Sequence, residues 1–223
     1  MKFYKILNEN ETHNDLKYKT GLNVDPVPFQ PEGDCEPGGI YFSAEDIFAF
    51  LDYGCWIREV TIPEGDEVYE NPGTPKKFKA HRVILDKRKK INLSVFKTLV
   101  DEGADVHAGD DYALRWASAR GHLDTVKFLV EQGANVHADN DFALRWASGN
   151  GHLDIVKFLV EQGADVHAGD DHALKWASGN GHLDTVKFLV EQGADVHADN
   201  DFALRWASRN GHLDVVGFLK TLK

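Results

Sequence analysis

Eight histidines recur fifteen residues apart along the second half of this chain: His107, His122, His137, His152, His167, His182, His197 and His212. Imidazole is a common metal ligand, so so regular a series raises metal chemistry first. Zinc needs three or four ligands converging about 2.1 Å from one point, commonly with cysteine among them. The two cysteines, Cys35 and Cys55, lie outside the series and lack CxxC spacing. If the series belongs to units packed side by side, equivalent histidines stand about 10 Å apart, the spacing of packed helices. The reading is therefore structural. No metal, no cofactor and no catalytic residue is expected among them.

The elements that carry these histidines repeat with a period of 30. ALRWASGNGHLD at 143–154 returns as ALRWASARGHLD at 113–124, ALKWASGNGHLD at 173–184 and ALRWASRNGHLD at 203–214. In one unit Asp141 caps a first helix through Ser148, and Gly149 to Gly151 force a turn. Leu153 opens a second helix, with Asp154 favoured by the dipole of its first turn. Gly163 ends it, and an extended polar connector leads to the next capping Asp. Helices this short are marginal alone, so the units must stack. Ala143 and Ala147 permit close approach, and Leu144, Trp146, Val156, Leu159 and Val160 are expected to fill the layer between units.

The stretch ALRWASGNGHLDIVKFLVEQGADVHA resembles the ankyrin repeat, whose usual pattern reads TPLHxAAxxGHxxxVxxLLxxGADVNA. The resemblance covers about 130 residues and implies a mainly α fold, a helix-turn-helix solenoid over residues 91–223, with a half repeat at 91–110 and four repeats starting near 111, 141, 171 and 201. It also implies that His122, His152, His182 and His212 tie backbone groups of adjacent repeats together, and that His107, His137, His167 and His197, standing where the family has Asn, make turn bonds. Three departures stand out. The period is 30 against the usual 33, Thr-Pro has become Phe-Ala, Tyr-Ala or His-Ala, and the usual buried His is Arg or Lys. The missing residues fall in the connector that normally forms a finger, which shortens each arm by about 5 Å at roughly 3.3 Å per extended residue. Stubby fingers are expected, as in the shortened ankyrin arrays of giant-virus proteins. Lys220 stands where earlier copies have Val130, Val160 and Val190, an expected terminal position with nothing stacked beyond. At the other end the half repeat lacks a first helix, so the preceding residues are expected to dock on it and cap the array.

Slots that differ between copies are those the shared architecture leaves open. They are Tyr112, Phe142, His172 and Phe202; the pairs Ala119-Arg120, Gly149-Asn150, Gly179-Asn180 and Arg209-Asn210; and Thr125, Ile155, Thr185 and Val215. Beside the first slot runs a basic row of Arg115, Arg145, Lys175 and Arg205, flanked by Asp110, Asp111, Asp139 and Asp141. In the resembled family first helices and fingers form a concave recognition face, and Tyr, Phe and Arg supply most of the energy of protein interfaces. Tyr112, Arg115, Phe142, Arg145, His172, Lys175, Phe202 and Arg205 are therefore the candidate partner-binding residues.

Residues 1–90 show no repeat and hold all seven prolines. They read as a small α+β module: a strand over Gly39–Ser43, a helix capped by Ser43 and stopped at Gly54, a strand in CWIREVTIP, a further one in KFKAHRVIL, and about four strands in all. Their order loosely resembles the core of ADP-ribosyltransferase-like domains. That resemblance implies a second function, an enzyme in this module with the repeats recruiting its substrate, around Tyr41 and Ser43 with Glu59 or Glu67 as the acid.

Charge narrows the partners. The chain carries 25 Lys and Arg against 36 Asp and Glu, net -11, of which -8 falls in residues 91–223. Such a surface repels phosphate backbones and suits a basic protein or peptide. No stretch has signal-peptide or membrane-spanning character, and both thiols are expected free in a reducing compartment. The sequence thus predicts a monomeric, non-enzymatic protein-protein interaction scaffold in the cytoplasm, that of a host cell if the chain is viral. Its partner is an unidentified host or viral protein, without nucleic acid or membrane.

Overall fold

The structure is a computed structural model that describes residues 2–13, 16–30, 38–71 and 73–222. Cys35 and the prolines at 31, 37 and 72 lie outside the described residues; Cys55 is a free, partly exposed thiol. The chain divides into two compact units, residues 1–113 and 114–223. Among the described residues no helix is long and apolar enough to cross a membrane.

The first unit is built from short antiparallel strands: β1 (Phe3–Leu7), β2 (Thr12–His13), β3 (Leu16–Lys17), β4 (Gly21–Val24), β5 (Ile40–Phe42), β6 (Trp56–Thr61), β7 (Tyr69–Asn71), β8 (Lys77–Ala80), β9 (Arg82–Leu85) and β10 (Lys89–Lys90). One sheet runs β1-β6-β9-β4 with β10 also paired to β6, a second runs β5-β8-β7, and β2 and β3 form a hairpin. Leu7, Ile40, Phe42, Val60, Ala80, Val83 and Leu85 make the core. Two expectations change here. The predicted strand through KFKAHRVIL is broken at His81, so that β8 serves one sheet and β9 the other. The predicted helix after Ser43 is a 3-10 helix, Glu45–Tyr53, without a side-chain cap; the Ser43 hydroxyl donates instead to the Lys76 carbonyl at 2.9 Å.

Helix α1 (Leu93–Asp101), the second helix of the half repeat, belongs to this first unit. Asn92 caps it through the Val95 amide. Its missing companion is replaced by the 3-10 helix: Phe96 stacks on Phe48 at 5.0 Å between ring centroids, and the Asp105 amide donates to the Glu45 carbonyl at 2.8 Å. The N-terminal strands and the half repeat therefore share one packed body.

The repeats follow as α2 (Ala108–Ala119), α3 (Leu123–Glu131), α4 (Ala138–Gly149), α5 (Leu153–Glu161), α6 (Ala168–Gly179), α7 (Leu183–Glu191), α8 (Ala198–Asn210) and α9 (Leu213–Lys220). Of the predicted small and aliphatic positions, Ala143, Leu144, Ala147, Val156 and Leu159 are each at most 1 % exposed, whereas Val160 is only partly buried. Trp146 is not a core residue. It is 38 % exposed and meets Trp176 edge-on at 5.9 Å.

The connectors are not extended fingers. Each first helix opens on three consecutive left-handed residues, as in Asp139, Asn140 and Asp141 with φ of 52°, 57° and 55°; the same turn recurs at Gly109–Asp111, Gly169–Asp171 and Asp199–Asn200–Asp201. Left-handed geometry costs about 1–2 kcal/mol per residue with a Cβ, least for Asn and Asp. The GDD and DND words are thus a backbone specification. Asp141 does not serve as an extended cap: its Oδ1 meets His137 Nδ1 at 3.0 Å and accepts the amide of Asp165 in the next repeat at 3.0 Å. Asp171 does the same for His167 and Asp195, at 3.0 and 2.8 Å.

Two substitution series test this account. Asp170→Ala and Asp171→Ala impose the same left-handed strain, but only Asp171 bridges repeats, so its replacement is expected to cost about 2 kcal/mol more in urea unfolding, the penalty of stranded buried donors. The hydroxyls of Ser118, Ser148 and Ser178 are buried without a hydrogen-bond partner. Converting each to Ala is expected to raise stability by about 1 kcal/mol.

Candidate partner-binding face

The variable slots separate by burial. Thr125, Ile155, Thr185 and Val215 are at most 4 % exposed, so their variation is core variation. Gly149 and Gly179 are dictated by packing as well: a Cβ at Gly179 would lie 2.4 Å from the Trp206 ring, and one at Gly149 3.0 Å from Trp176. The slot of Tyr112, Phe142, His172 and Phe202 is partly exposed in every copy, and Arg120, Asn150, Asn180 and Asn210 are exposed as well.

That slot sits one residue past the left-handed turn, on the first turn of each first helix. Phe142 packs against Trp146 at 5.5 Å, His172 against Trp176 at 5.0 Å, and Phe202 against Trp206 at 5.5 Å. In the first unit Tyr112 donates its hydroxyl to the Asp52 carboxylate. Each surface aromatic is therefore backed by a second polar or aromatic group, which holds it in place.

The basic row is largely engaged within the molecule. Arg145 is 9 % exposed, donates to the Asp139 carbonyl at 2.7 Å and lies 4.6 Å from the Phe142 ring centre. Arg115 reaches the Asp139 carboxylate at 2.6 Å, and Lys175, 7 % exposed, pairs with Asp170 at 2.8 Å. Arg205 is exposed yet makes the same bond as Arg145, to the Asp199 carbonyl at 2.9 Å. These cations clamp the left-handed turns. What they leave facing solvent is acidic: the side chains of Asp139, Asp170 and Asp199 are 46 %, 69 % and 49 % exposed. Sequence reasoning missed the clamp, although Asp, Asn and Gly in succession signal positive φ and a carbonyl turned outward for a cation to meet.

Three of the four GlyHis histidines reach the preceding repeat, whereas His122 packs against Trp116 of its own repeat at 5.5 Å. His152, His182 and His212 place Nε2 at 3.2, 3.0 and 2.9 Å from the carbonyls of Ala119, Gly149 and Gly179 in the preceding repeat. A Cβ at Gly151 would meet the His182 ring at 2.5 Å, so Gly and His of the GlyHis word serve different copies of one joint. The second set bonds the turn: His107, His137 and His167 each meet an Asp four residues on at 3.0 Å. Among the described residues no cluster of three or more metal-ligand side chains occurs.

The residues of the enzymatic alternative are not gathered. Tyr41 and Ser43 are buried and line a cleft in the first unit. Glu59 instead stands 3.8 Å from Lys2, and Glu67 is exposed; neither is among the residues lining that cleft.

Comparison with known proteins agrees with the geometry. A family model for ankyrin repeats matches residues 87–170 and 167–222, more than half of the chain, in three copies. Three proteins of Acanthamoeba polyphaga mimivirus are similar. One named as an ankyrin repeat protein is 41% identical over 122 residues, 51% of this chain and 40% of that protein. One without an assigned role is 32% identical over 134 residues, 56% of this chain and 94% of that protein. A second named for ankyrin repeats is 29% identical over 130 residues, 56% and 64% of the two chains. The match thus spans less than two thirds of both relatives named for the repeat.

His172 supplies a pH test. Burial, then the charges of Arg145 and Lys175, hold its pKa below the usual histidine value, with Asp170 opposing. A proton is therefore bound more readily in the unfolded chain. The stability this represents is present above the unfolded value, about 6.5, and is lost as pH falls through the lower folded value. The melting temperature is expected to drop between about pH 7.5 and about pH 5.5, and to drop less in His172→Phe, which restores the residue of the neighbouring copies.

Proposed function

We propose, because the chain belongs to the ankyrin-repeat family, that its array is a non-catalytic scaffold holding a partner protein on the concave face lined by the first helices. Ankyrin repeats are protein-protein interaction modules in general. The observation that carries the finer reading is that Tyr112, Phe142, His172 and Phe202 keep partly exposed rings in every copy, at the first turn of each first helix, while Thr125, Ile155, Thr185 and Val215 vary inside the core. Rigid rings backed by packed neighbours bind at low entropic cost. Exposed Asp139, Asp170 and Asp199 beside them favour a basic segment of the partner and disfavour nucleic acid. Arg115, Arg145, Lys175 and Arg205 contribute by fixing this surface, with Arg205 the most accessible of them.

The similarity to mimivirus proteins favours a viral chain acting in the host cytoplasm as a monomer, on a host or viral protein. An enzymatic role for the first unit has less support, since the acid and the aromatic-Ser pair it calls for stand apart.

Proximity labelling in cells, comparing the full chain with Phe142→Ala/Phe202→Ala, tests the reading. The variant is expected to lose the labelled partner at least about tenfold, as removal of two interface anchors worth about 1 kcal/mol or more each would do, with helicity retained. Undiminished labelling by a folded variant removes the assignment of this face.

A further inference from the structure

The first unit contains a cleft that the scaffold reading does not use. It encloses about 100 Å³ between β1, the Asn8–His13 turn, β5, the 3-10 helix and the start of β8. The turn is fixed from within, since Asn8 Nδ2 donates to the Thr12 carbonyl at 2.9 Å and Asn8 Oδ1 accepts the Thr12 amide at 3.1 Å. Five aromatic rings, those of Tyr4, Tyr41, Phe42, Phe50 and Tyr53, stand in its walls beside Ile6, Leu7 and Ile47. An apolar cavity of about 150 Å³ admits benzene; this cleft holds about two thirds of that volume and is open to solvent, so a six-membered ring would enter with one edge outside.

Its charge runs against that of the chain. Acidic residues outnumber basic ones by 36 to 25 overall, yet the described residues lining the cleft include Lys5, Lys77 and His13 and no Asp or Glu. Lys5 is 6 % exposed; its ammonium donates to the Tyr41 carbonyl at 2.7 Å and lies 4.8 Å from the Tyr18 ring centre. Behind the wall stands Lys79, paired with Tyr41 in strand register and completely buried. Among the described residues its ammonium has no hydrogen-bond partner; it lies 4.9 Å from the centre of the Tyr41 ring, which Lys77 also faces at 6.0 Å. A ring face only partly offsets the desolvation of a buried ammonium. An anion held at the cleft would offset more of it. His13 is held below its usual pKa by burial and by Lys5, so at neutral pH it offers hydrogen bonds without charge.

We propose that this cleft binds a small planar aromatic anion, a monocyclic carboxylate whose ring lies against Tyr41, Phe50 and Tyr53 and whose charge faces Lys77 and Lys5. The site lies wholly within the first unit and is independent of partner capture by the array. Its role would be recognition of the ligand.

Fluorine NMR titration of the full chain with para-fluorobenzoate tests this, with para-fluorobenzylamine as the cation of matching ring and acetate as the anion without a ring. Saturable binding of the benzoate is expected, weakened at least about fivefold by Lys77→Met and by Tyr53→Ala. Acetate should compete poorly and the amine should bind at least about tenfold more weakly. Phe142→Ala, on the array, should leave the titration unchanged. Tyr53 is half exposed at the rim, so its variant keeps the test decisive should Lys77→Met fail to fold. Equal binding of amine and benzoate, a signal that does not saturate, or full affinity in folded Tyr53→Ala overturns the proposal.

Discussion

One carboxylate governs each joint of the array. Asp141 and Asp171 end a left-handed turn, bond a histidine of their own repeat and accept a backbone amide of the next. Each is about 5 % exposed, so a buried negative charge is stabilised only when the turn has its unusual geometry and the neighbour is docked. Local conformation and stacking therefore become one cooperative event, which is how units too short to fold alone acquire a single structure. The thirty-residue period follows from it, because a three-residue left-handed turn replaces the finger of the longer repeat.

The histidines and the basic row serve the same joint from two sides. His182 and its equivalents close the helix-turn end of each interface through a carbonyl of the preceding copy. Arg115 and Lys175 close the connector end by pairing with Asp139 and Asp199 of the following copy, while Arg145 and Arg205 hold the turn of their own copy through its first carbonyl. With both ends fixed by polar bonds, the layer between needs only small and aliphatic side chains, and Ala143, Leu144 and Ala147 fill it without exposed remainder.

Much of this was legible in the sequence. The period, the two helices and the buried Ala and Leu positions could be read because each follows from local chemistry repeated four times, and the carbonyl bonds of His152, His182 and His212 followed from the family resemblance. The connector could not be read as an extended finger and as a turn at once, and the residue types Asp, Asn and Gly were taken for polarity when they encoded positive φ. Trp146 was misplaced because helical spacing marks a face but not how far a neighbour covers it. Gly149 and Gly179 looked free to vary because the ring that requires them, Trp176 or Trp206, comes from the next copy. In the first unit the break at His81 was invisible, since a continuous apolar alternation cannot tell one long strand from two that serve different sheets.

The distribution of charge explains why a duplicated framework still presents a usable surface. A basic row on a solvated helix face would ordinarily be read as the binding element. Here Arg145 and Lys175 are at most 9 % exposed and spend their charge on the turns, so the solvent-facing residue of each joint is its outer carboxylate, Asp139, Asp170 or Asp199. Duplication copies the clamp intact because the joint demands it. The ring one position past each turn is bound by no such demand, and the change from Phe142 to His172 and back to Phe202 alters shape and charge there without disturbing the bonds on either side. Stability and recognition are thereby assigned to adjacent residues of one helix turn.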